Sequence, residues 1–427
     1  MGAPASLKLI LAPRLIDGRG GPPLERAALL LEGSTVRAVG PQAEVRPPDG
    51  ATTVETLEYP NATVLPGLID AHTHLNGFGD GRLGDDLAQN PDSLLLLQSA
   101  RNARVHLETG VTTLRDCGSK HGTAFDLRRA LEAGITPGPR LYLSGRPVTI
   151  TGGHLWYFGQ EADGVDAGRQ AVRQLVKEGA DFIKVIATGG STRTSYPSRP
   201  AYTPEELRAI VDEAHKFGKP TAAHCSSTQG VSDAVEAGID TVIHCVFLEP
   251  DGTPRFRQEV ADRIAARNAW VDFTIAQTWV RILALDAKAE RGEALTPAET
   301  AERERLRRGR EGRADHFRRL LATGVRMVSG SDSSWGPYPM GGFQYEVIGH
   351  ADWGMSAMDA ILSGTRDAAR CLGLEDRIGT LEPGKEADVL VVEGDPLRDI
   401  WDLLNVREVF QAGQRVPRTH QPGDWMR

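Results

Sequence analysis

From residue 65 the chain alternates short, continuous apolar runs with longer amphipathic stretches. The runs fall at 64–69, 111–116, 140–144, 182–186, 221–224, 241–244, 270–273 and 326–330. Short runs that are apolar throughout predict strands buried on both faces, and such strands separated by helices predict a parallel sheet. Eight such units in roughly 300 residues predict an α/β chain built as a (β/α)8 TIM-like barrel, which usually takes about 250 residues. The flanks differ. Residues 7–11, 27–32 and 36–39 are small apolar runs parted by turn pairs such as Asp17-Gly18 and Glu32-Gly33. Strand texture returns at 387–392 and 406–410. A β-rich start and a β-rich end predict one small domain assembled from both termini. The expected division is 1–64 for its N-terminal part, 65–375 for the barrel and 376–427 for its C-terminal part.

The intervening helices carry start signals. Thr203-Pro204-Glu205-Glu206 sets a hydroxyl cap, a first-turn proline and acidic residues ahead of Leu207, Ile210 and Val211. Residues 285–319 are dense in Glu, Arg and Ala, with a break at Thr296-Pro297. They read as one or two helices whose charges form a solvated face. Residues 357–362 also read as helical.

Composition changes this picture little. Of the 427 residues 40% are apolar and 25% charged, ordinary for a soluble protein of more than one domain. A net charge of -8 argues against nucleic acid or an anionic membrane as partner. Cys117, Cys225, Cys245 and Cys371 form no CxxC pair and read as reduced, buried residues. Met1 to Ile10 lacks a signal-peptide layout, and no apolar run approaches the ~20 residues of a membrane span. The expected compartment is the cytoplasm.

Chemistry gathers where apolar runs end. In His72-Thr73-His74, positions i and i+2 of a strand project to one side, so both imidazoles offer lone pairs together, half of a metal site. Barrel sites lie at the C-terminal ends of strands. There stand His224 closing the fifth run, His244 closing the sixth and Asp332 after the eighth. Lone histidines at strand ends are often core residues, and an aspartate in Ser329-Gly330-Ser331-Asp332 could simply cap a turn or helix. Lys184, inside Phe182-Ile183-Lys184-Val185-Ile186, is harder to explain structurally, because burial strongly disfavours an unpaired ammonium. Addition of CO2 to a lowered-pKa amine would give a carbamate whose two oxygens can bridge two divalent metals. Together the six residues point to a metal site.

These motifs carry a resemblance. The opening Pro66-Gly67-Leu68-Ile69-Asp70-Ala71-His72-Thr73-His74, Phe182-Ile183-Lys184, the His224 and His244 strand ends, Gly330-Ser331-Asp332 and the tail from Ile378 to Asp388 resemble the amidohydrolase superfamily. Within it the chain is similar to the group of imidazolonepropionases and prolidase-like dipeptidases. The resemblance covers nearly the whole chain and implies a β-sandwich shared by the termini. It implies a binuclear centre: His72, His74 and Asp332 on one metal, His224 and His244 on the other, carboxylated Lys184 and a hydroxide bridging. Zinc is the first choice of metal, with manganese, cobalt or iron as alternatives. The implied reaction is hydrolysis of a C–N bond in an amide, dipeptide, N-acyl amino acid, carbamate or urea, with Asp332 moving the proton to the leaving amine.

Substrate recognition is less defined. His154, in Gly152-Gly153-His154, has an orienting role in related enzymes and is expected to touch the substrate carbonyl. Arg193 and Tyr196 in the loop after Lys184 are candidate substrate contacts, as is Trp335. Trp156, Tyr157, Phe158 and Trp279 are further candidates for an apolar wall or for core packing. Dipeptidase-like members tend to carry a Tyr or His two residues after the strand-five histidine, where Ser226 stands here. That favours substrates other than α-carboxylate peptides. The alternative is a cyclic amidohydrolase acting on an imidazolone or hydantoin ring. A mononuclear deaminase would need a glutamate where Ser227 stands, and a non-catalytic scaffold would have lost ligands. The expected partners are a small-molecule substrate and further copies of the chain in a homo-oligomer.

Overall fold

Strands occupy every run predicted for them. A computed structural model describes residues 6–51, 53–82 and 84–426. Residues 1–5, part of the stretch used to expect a cytoplasmic protein, lie outside the described residues. In chain order the strands are β1 (Leu7–Leu15), β2 (Leu24–Glu32), β3 (Thr35–Pro41), β4 (Val54–Glu58), β5 (Ala62–Pro66), β6 (Leu68–Thr73), β7 (Val111–Asp116), β8 (Arg140–Leu143) and β9 (Val148–Thr149). They continue as β10 (Gln160–Glu161), β11 (Ile183–Ile186), β12 (Thr221–Ser227), β13 (Thr241–Leu248), β14 (Trp270–Asp272), β15 (Arg326–Val328), β16 (Val389–Glu393), β17 (Val406–Gln411) and β18 (Gln414–Arg415).

The apolar run at 64–69 is two strands. Pro66 offers no amide hydrogen, and a Cβ on Gly67 would lie 2.4 Å from the Thr112 hydroxyl oxygen. The chain breaks there: β5 pairs antiparallel with β16, while β6 starts the parallel array beside β7. β5 also pairs with β1, so it ties the two termini together. Their strands form one sheet in the order β18-β17-β16-β5-β1-β2-β3, with β4 beside β1.

The parallel strands form a mixed α/β architecture with helices between them, in two ladders. One is β6-β7-β8 and the other β10-β9-β11-β12-β13-β14-β15. The third predicted strand is interrupted after Leu143 by Gly145 (φ 70°) and Pro147, so β8 pairs with β7 and β9 with β11. Isolated hydrogen bonds cross the two seams: Asp181 N to Leu143 O (2.8 Å), Ala71 N to Ser329 O (3.1 Å) and Asp332 N to His72 O (2.8 Å).

Helices follow their signals. Thr203 caps the helix Pro204–Lys216 in a reciprocal capping box with Glu206. The charged segment is a helical hairpin, Ala276–Glu290 and Pro297–Ala322, restarted by a second capping box of Thr296 and Glu299. Ion pairs tie it: Arg281–Glu302, Lys288–Glu299, and Asp286 with Arg303 and Arg307. Leu175, Ile183, Ile210, Val242, Phe273 and Phe317 belong to the apolar core between helices and strands. Each contributes on the order of 1.5–3 kcal/mol by leaving water. The four cysteines are free and buried.

Candidate active site

At the C-terminal ends of the parallel strands opens a cavity of about 480 Å³. All six expected ligands, His72, His74, Lys184, His224, His244 and Asp332, line it. Register explains how. Lys184 pairs with Ala222, and Ile186 with His224, so His224 stands two residues further along its strand than the lysine. β12 and β13 do not end at their histidines but run on to Ser227 and Leu248. A register shift after Cys225, with positive φ at His244 (70°), Cys245 (47°) and Phe247 (58°), re-aims β13 at the site. Asp332 has a φ of 54° and Thr274 one of 52°. Such conformations cost about 1–3 kcal/mol each and persist where surrounding structure holds them.

His72, His74 and Asp332 offer three donor atoms within 4.8 Å of one another. Their closest approaches are 3.5 Å from His72 Nε2 and 3.4 Å from His74 Nε2 to the Asp332 carboxylate. The far ring nitrogens are held. His72 Nδ1 donates to Asp272 (2.9 Å) and His74 Nδ1 to the Gly118 carbonyl (3.0 Å), which leaves both Nε2 lone pairs facing the cavity. His72 Nε2 is buried and has no hydrogen-bond partner among the described residues. An orphaned imidazole nitrogen beside a carboxylate and a second imidazole fits a divalent cation. On the opposite side His224 Nε2 donates to Gly189 O (3.2 Å), and His244 Nδ1 bonds Thr274 Oγ1 (2.8 Å). These two rings stand 4.6 Å apart, with His224 Nδ1 and His244 Nε2 left as donors.

Lys184 is 1% exposed, and its ammonium makes no hydrogen bond or ion pair among the described residues. Burial lowers its pKa, against the pull of Cys117, Asp332 and Asp272. Burial likewise drives His72, His224 and His244 well below the usual imidazole range and His74 down to about 3, so all are neutral and ready to ligate. It pushes Asp332 up to about 7.

Of the expected substrate contacts, His154, Ser226 and Trp335 line the cavity. His154 Nδ1 bonds Thr192 Oγ1 (2.9 Å), and burial lowers its pKa to about 3. The Trp335 ring lies 5.3 Å from His74, and Ser226 Oγ is 3.4 Å from His224 Nε2. Arg193 and Tyr196 lie outside the lining. Arg193 is 58% exposed and pairs with Asp86, while Tyr196 is 65% exposed beneath Arg199. The glycine-rich loop carries both outward, because Gly189 packs against the Tyr196 backbone. Trp279 packs on Tyr345 and Trp401, and Tyr157 and Phe158 pack behind Trp335. Trp156 is exposed. Ser227 caps the helix Thr228–Ala237.

Sequence reasoning missed Asp272, Gln277, Arg281, Glu302 and Arg313. Asp272 was open to the argument applied to Lys184, an ionisable residue inside an apolar strand. Glu302 and Arg313 were hidden in the charge run at 285–319, part of which forms a cavity wall rather than a solvated face, and Arg281 stands just ahead of it.

A strand-end cavity gathering imidazoles, a carboxylate and a buried amine is the site of a metal-dependent hydrolase. The profile of the amidohydrolase family matches residues 63–416, and the chain belongs to that family, whose members hydrolyse C–N bonds. It is 28% identical to the ochratoxinase of Aspergillus niger over 98% of this chain and 86% of the relative. It is 24% identical to the imidazolonepropionase of Brucella abortus over 91% and 90% of the two. Among solved structures, a Xaa-Pro dipeptidase with methionine bound in its active site superposes with a TM-score of 0.81 at 28% identity. That match covers 96% of this chain and 99% of the other.

Proposed function

We propose that the protein is a binuclear amidohydrolase that cleaves the C–N bond of a small amide, dipeptide, N-acyl amino acid, carbamate or urea. The observation that carries this is the cavity itself: an unpartnered, buried Lys184 shares it with the His72–His74–Asp332 cluster and with the His224–His244 pair. His72, His74 and Asp332 would hold one divalent ion, and His224 and His244 the other, with Lys184 bridging as its carbamate. Zinc is the first choice, with manganese, cobalt or iron as alternatives. Bound there, two ions would polarise the scissile carbonyl and bring the pKa of a water towards neutrality.

The chain's own residues do the rest. Asp272 and the Gly118 carbonyl fix the two imidazole tautomers. Asp332, lifted by burial to a pKa of about 7, is poised to take a proton from water and pass it to the leaving amine near neutral pH. His154, kept neutral, would donate to the substrate carbonyl. Trp335 and Leu155 give the cavity apolar walls, and Ser226 a polar one.

The same reading covers the architecture. The two parallel ladders, joined by the seam hydrogen bonds, would make an eight-stranded barrel over 65–375. The terminal sheet would coil into a β-sandwich built from 1–64 and 376–427. Its two faces support this: Ala27, Leu29 and Leu31 pack in one apolar cluster, Ala28 and Leu30 in another. No helix among the described residues is long and apolar enough to cross a membrane. We further place the enzyme in the cytoplasm as a homo-oligomer acting on a small molecule.

Metal analysis tests the core of this. The wild-type chain is expected to carry about two divalent ions, and Lys184→Ala one or none, with activity partly restored by short carboxylic acids. A Lys184→Ala protein with full metal content and activity would refute the bridging role.

A further inference from the structure

The helix Pro297–Ala322 carries a row of arginines, and most are paired. Arg303 and Arg307 bind Asp286, Arg310 binds Asp352, and Arg319 approaches Asp315. Arg313 differs. Among the described residues it makes no ion pair, and it lies on the wall of the catalytic cavity together with His244 and Asp332. Its guanidinium is held in place by two contacts: Nη2 donates to the Phe273 carbonyl (2.6 Å), and the group lies over the Phe273 ring at 5.0 Å. Its Nε is buried and has no hydrogen-bond partner. The other arginines lining the cavity are already neutralised, Arg281 by Glu302 and Arg82 by Asp80.

Glu346 and Asp332 attract this guanidinium without pairing with it, and burial still lowers its pKa, so part of its desolvation cost is not returned. A ligand anion would return it. The planar fork presents donors in the spacing of a carboxylate, a match that a lysine in the same place would not make. The position of Arg313 beside Asp332 says where that carboxylate sits. Asp332 is the group that would deliver a proton to the departing amine, so an anion bound next to it belongs to the amine side of the scissile bond.

We propose that Arg313 anchors the carboxylate of the leaving group, so that the preferred substrates are N-acyl amino acids or dipeptides rather than neutral amides, carbamates or ureas. This rests on the reading of the cavity as a C–N hydrolase site. It also reverses the expectation drawn from Ser226. The missing ring after the strand-five histidine does not exclude an α-carboxylate, because recognition has moved to the helical hairpin.

The test compares two matched pairs of compounds on the metal-loaded enzyme. For catalysis, N-acetylphenylalanine is set against N-acetylphenylalaninamide. For binding without turnover, N-benzylglycine, which has an amine in place of the amide, is set against its carboxamide by calorimetry. Wild type is expected to favour the acid over the amide by between about 10- and 100-fold in each pair. In Arg313→Gln, which keeps a donor for the Phe273 carbonyl, both ratios should collapse towards one. In Arg313→Lys, which keeps the charge without the fork, they should be intermediate and salt-sensitive. A thermal melt confirms that each variant is folded, and Arg313→Lys carries the test if Arg313→Gln is not. Wild-type ratios near one, or unchanged ratios in both variants, overturn the proposal while leaving C–N hydrolysis intact. A binding ratio that collapses as expected in an enzyme that cleaves no amide upholds the carboxylate anchor and overturns the hydrolase reading instead.

Discussion

Asp272 offers the sharpest test of how the metal site is built. It is fully buried at the end of β14, and its Oδ2 accepts from His72 Nδ1 at 2.9 Å while its Oδ1 has no hydrogen-bond partner among the described residues. Burial and the nearby Glu346 raise its pKa well above the usual carboxylate range. A raised carboxylate favours folding only where it is protonated, below about pH 3.8, and that contribution is lost as pH rises towards its folded value. At pH 7 the metal-free protein therefore bears a cost for Asp272, and Asp272→Asn should leave its melting temperature unchanged or higher. The metal should respond in the opposite sense. Asparagine can still accept from His72 Nδ1, but a neutral acceptor replaces a charged one. The midpoints of hydrogen bonds of about 1.5–3 and 0.5–1.5 kcal/mol differ by ~1.25 kcal/mol, or about eightfold in affinity for an ion at His72. Outer partners of metal ligands typically matter by about 10–100-fold in affinity or activity. The assay is competitive zinc titration of the stripped protein with a chromogenic chelator, alongside a thermal melt. Wild-type metal affinity in a folded Asp272→Asn protein would refute the idea that this carboxylate orients His72.

Two other perturbations probe the same region. A Cβ at Gly330 would fall 2.5 Å from the Asp272 carboxylate and 2.6 Å from His72 Cβ, so Gly330→Ala should displace that pair and lower metal content, measured by elemental analysis after dialysis. A fully loaded Gly330→Ala enzyme would show that the pair tolerates movement. In CO2-free buffer, the first metal should bind with a log affinity that rises by about one per pH unit between roughly pH 4 and 7 and then levels off. Below about 7 the ion must displace the Asp332 proton, whereas His74, lowered to about 3, and His72, lower than usual too, have no proton to give up in that range. A slope near three below pH 6 would mean that both imidazoles titrate normally, and a slope near two that one of them does; either would refute the reading that burial keeps them neutral.

The parallel strands and the six candidate ligands were legible in the sequence because both rest on local rules. A strand buried on both faces must be apolar along its length, and in such a run a His, Lys or Asp announces itself by contrast. His72-Thr73-His74 needed nothing more than the two-residue repeat of a strand. Arg193 and Tyr196 show where this fails: a glycine-rich loop has no periodicity to say which way its side chains turn, and here they turn out to solvent. Asp272 could have been found by the contrast that exposed Lys184.

Other features depended on contacts between distant segments. The split of 64–69 into β5 and β6 follows from Thr112 crowding Gly67 and from β16 pairing with β5, hundreds of residues downstream. The role of Arg313 could not be read from a segment so rich in arginine. Charge patterning along one helix is the same whether a face meets water or a cavity, and only the packing of the hairpin against the strand ends distinguishes them. The sequence by itself determined that this chain presents candidate metal ligands at the ends of buried parallel strands. The tertiary structure alone decided which nitrogen of each histidine faces the site and which of the cavity's arginines is left, among the described residues, without a carboxylate partner, since both depend on neighbours remote in the chain.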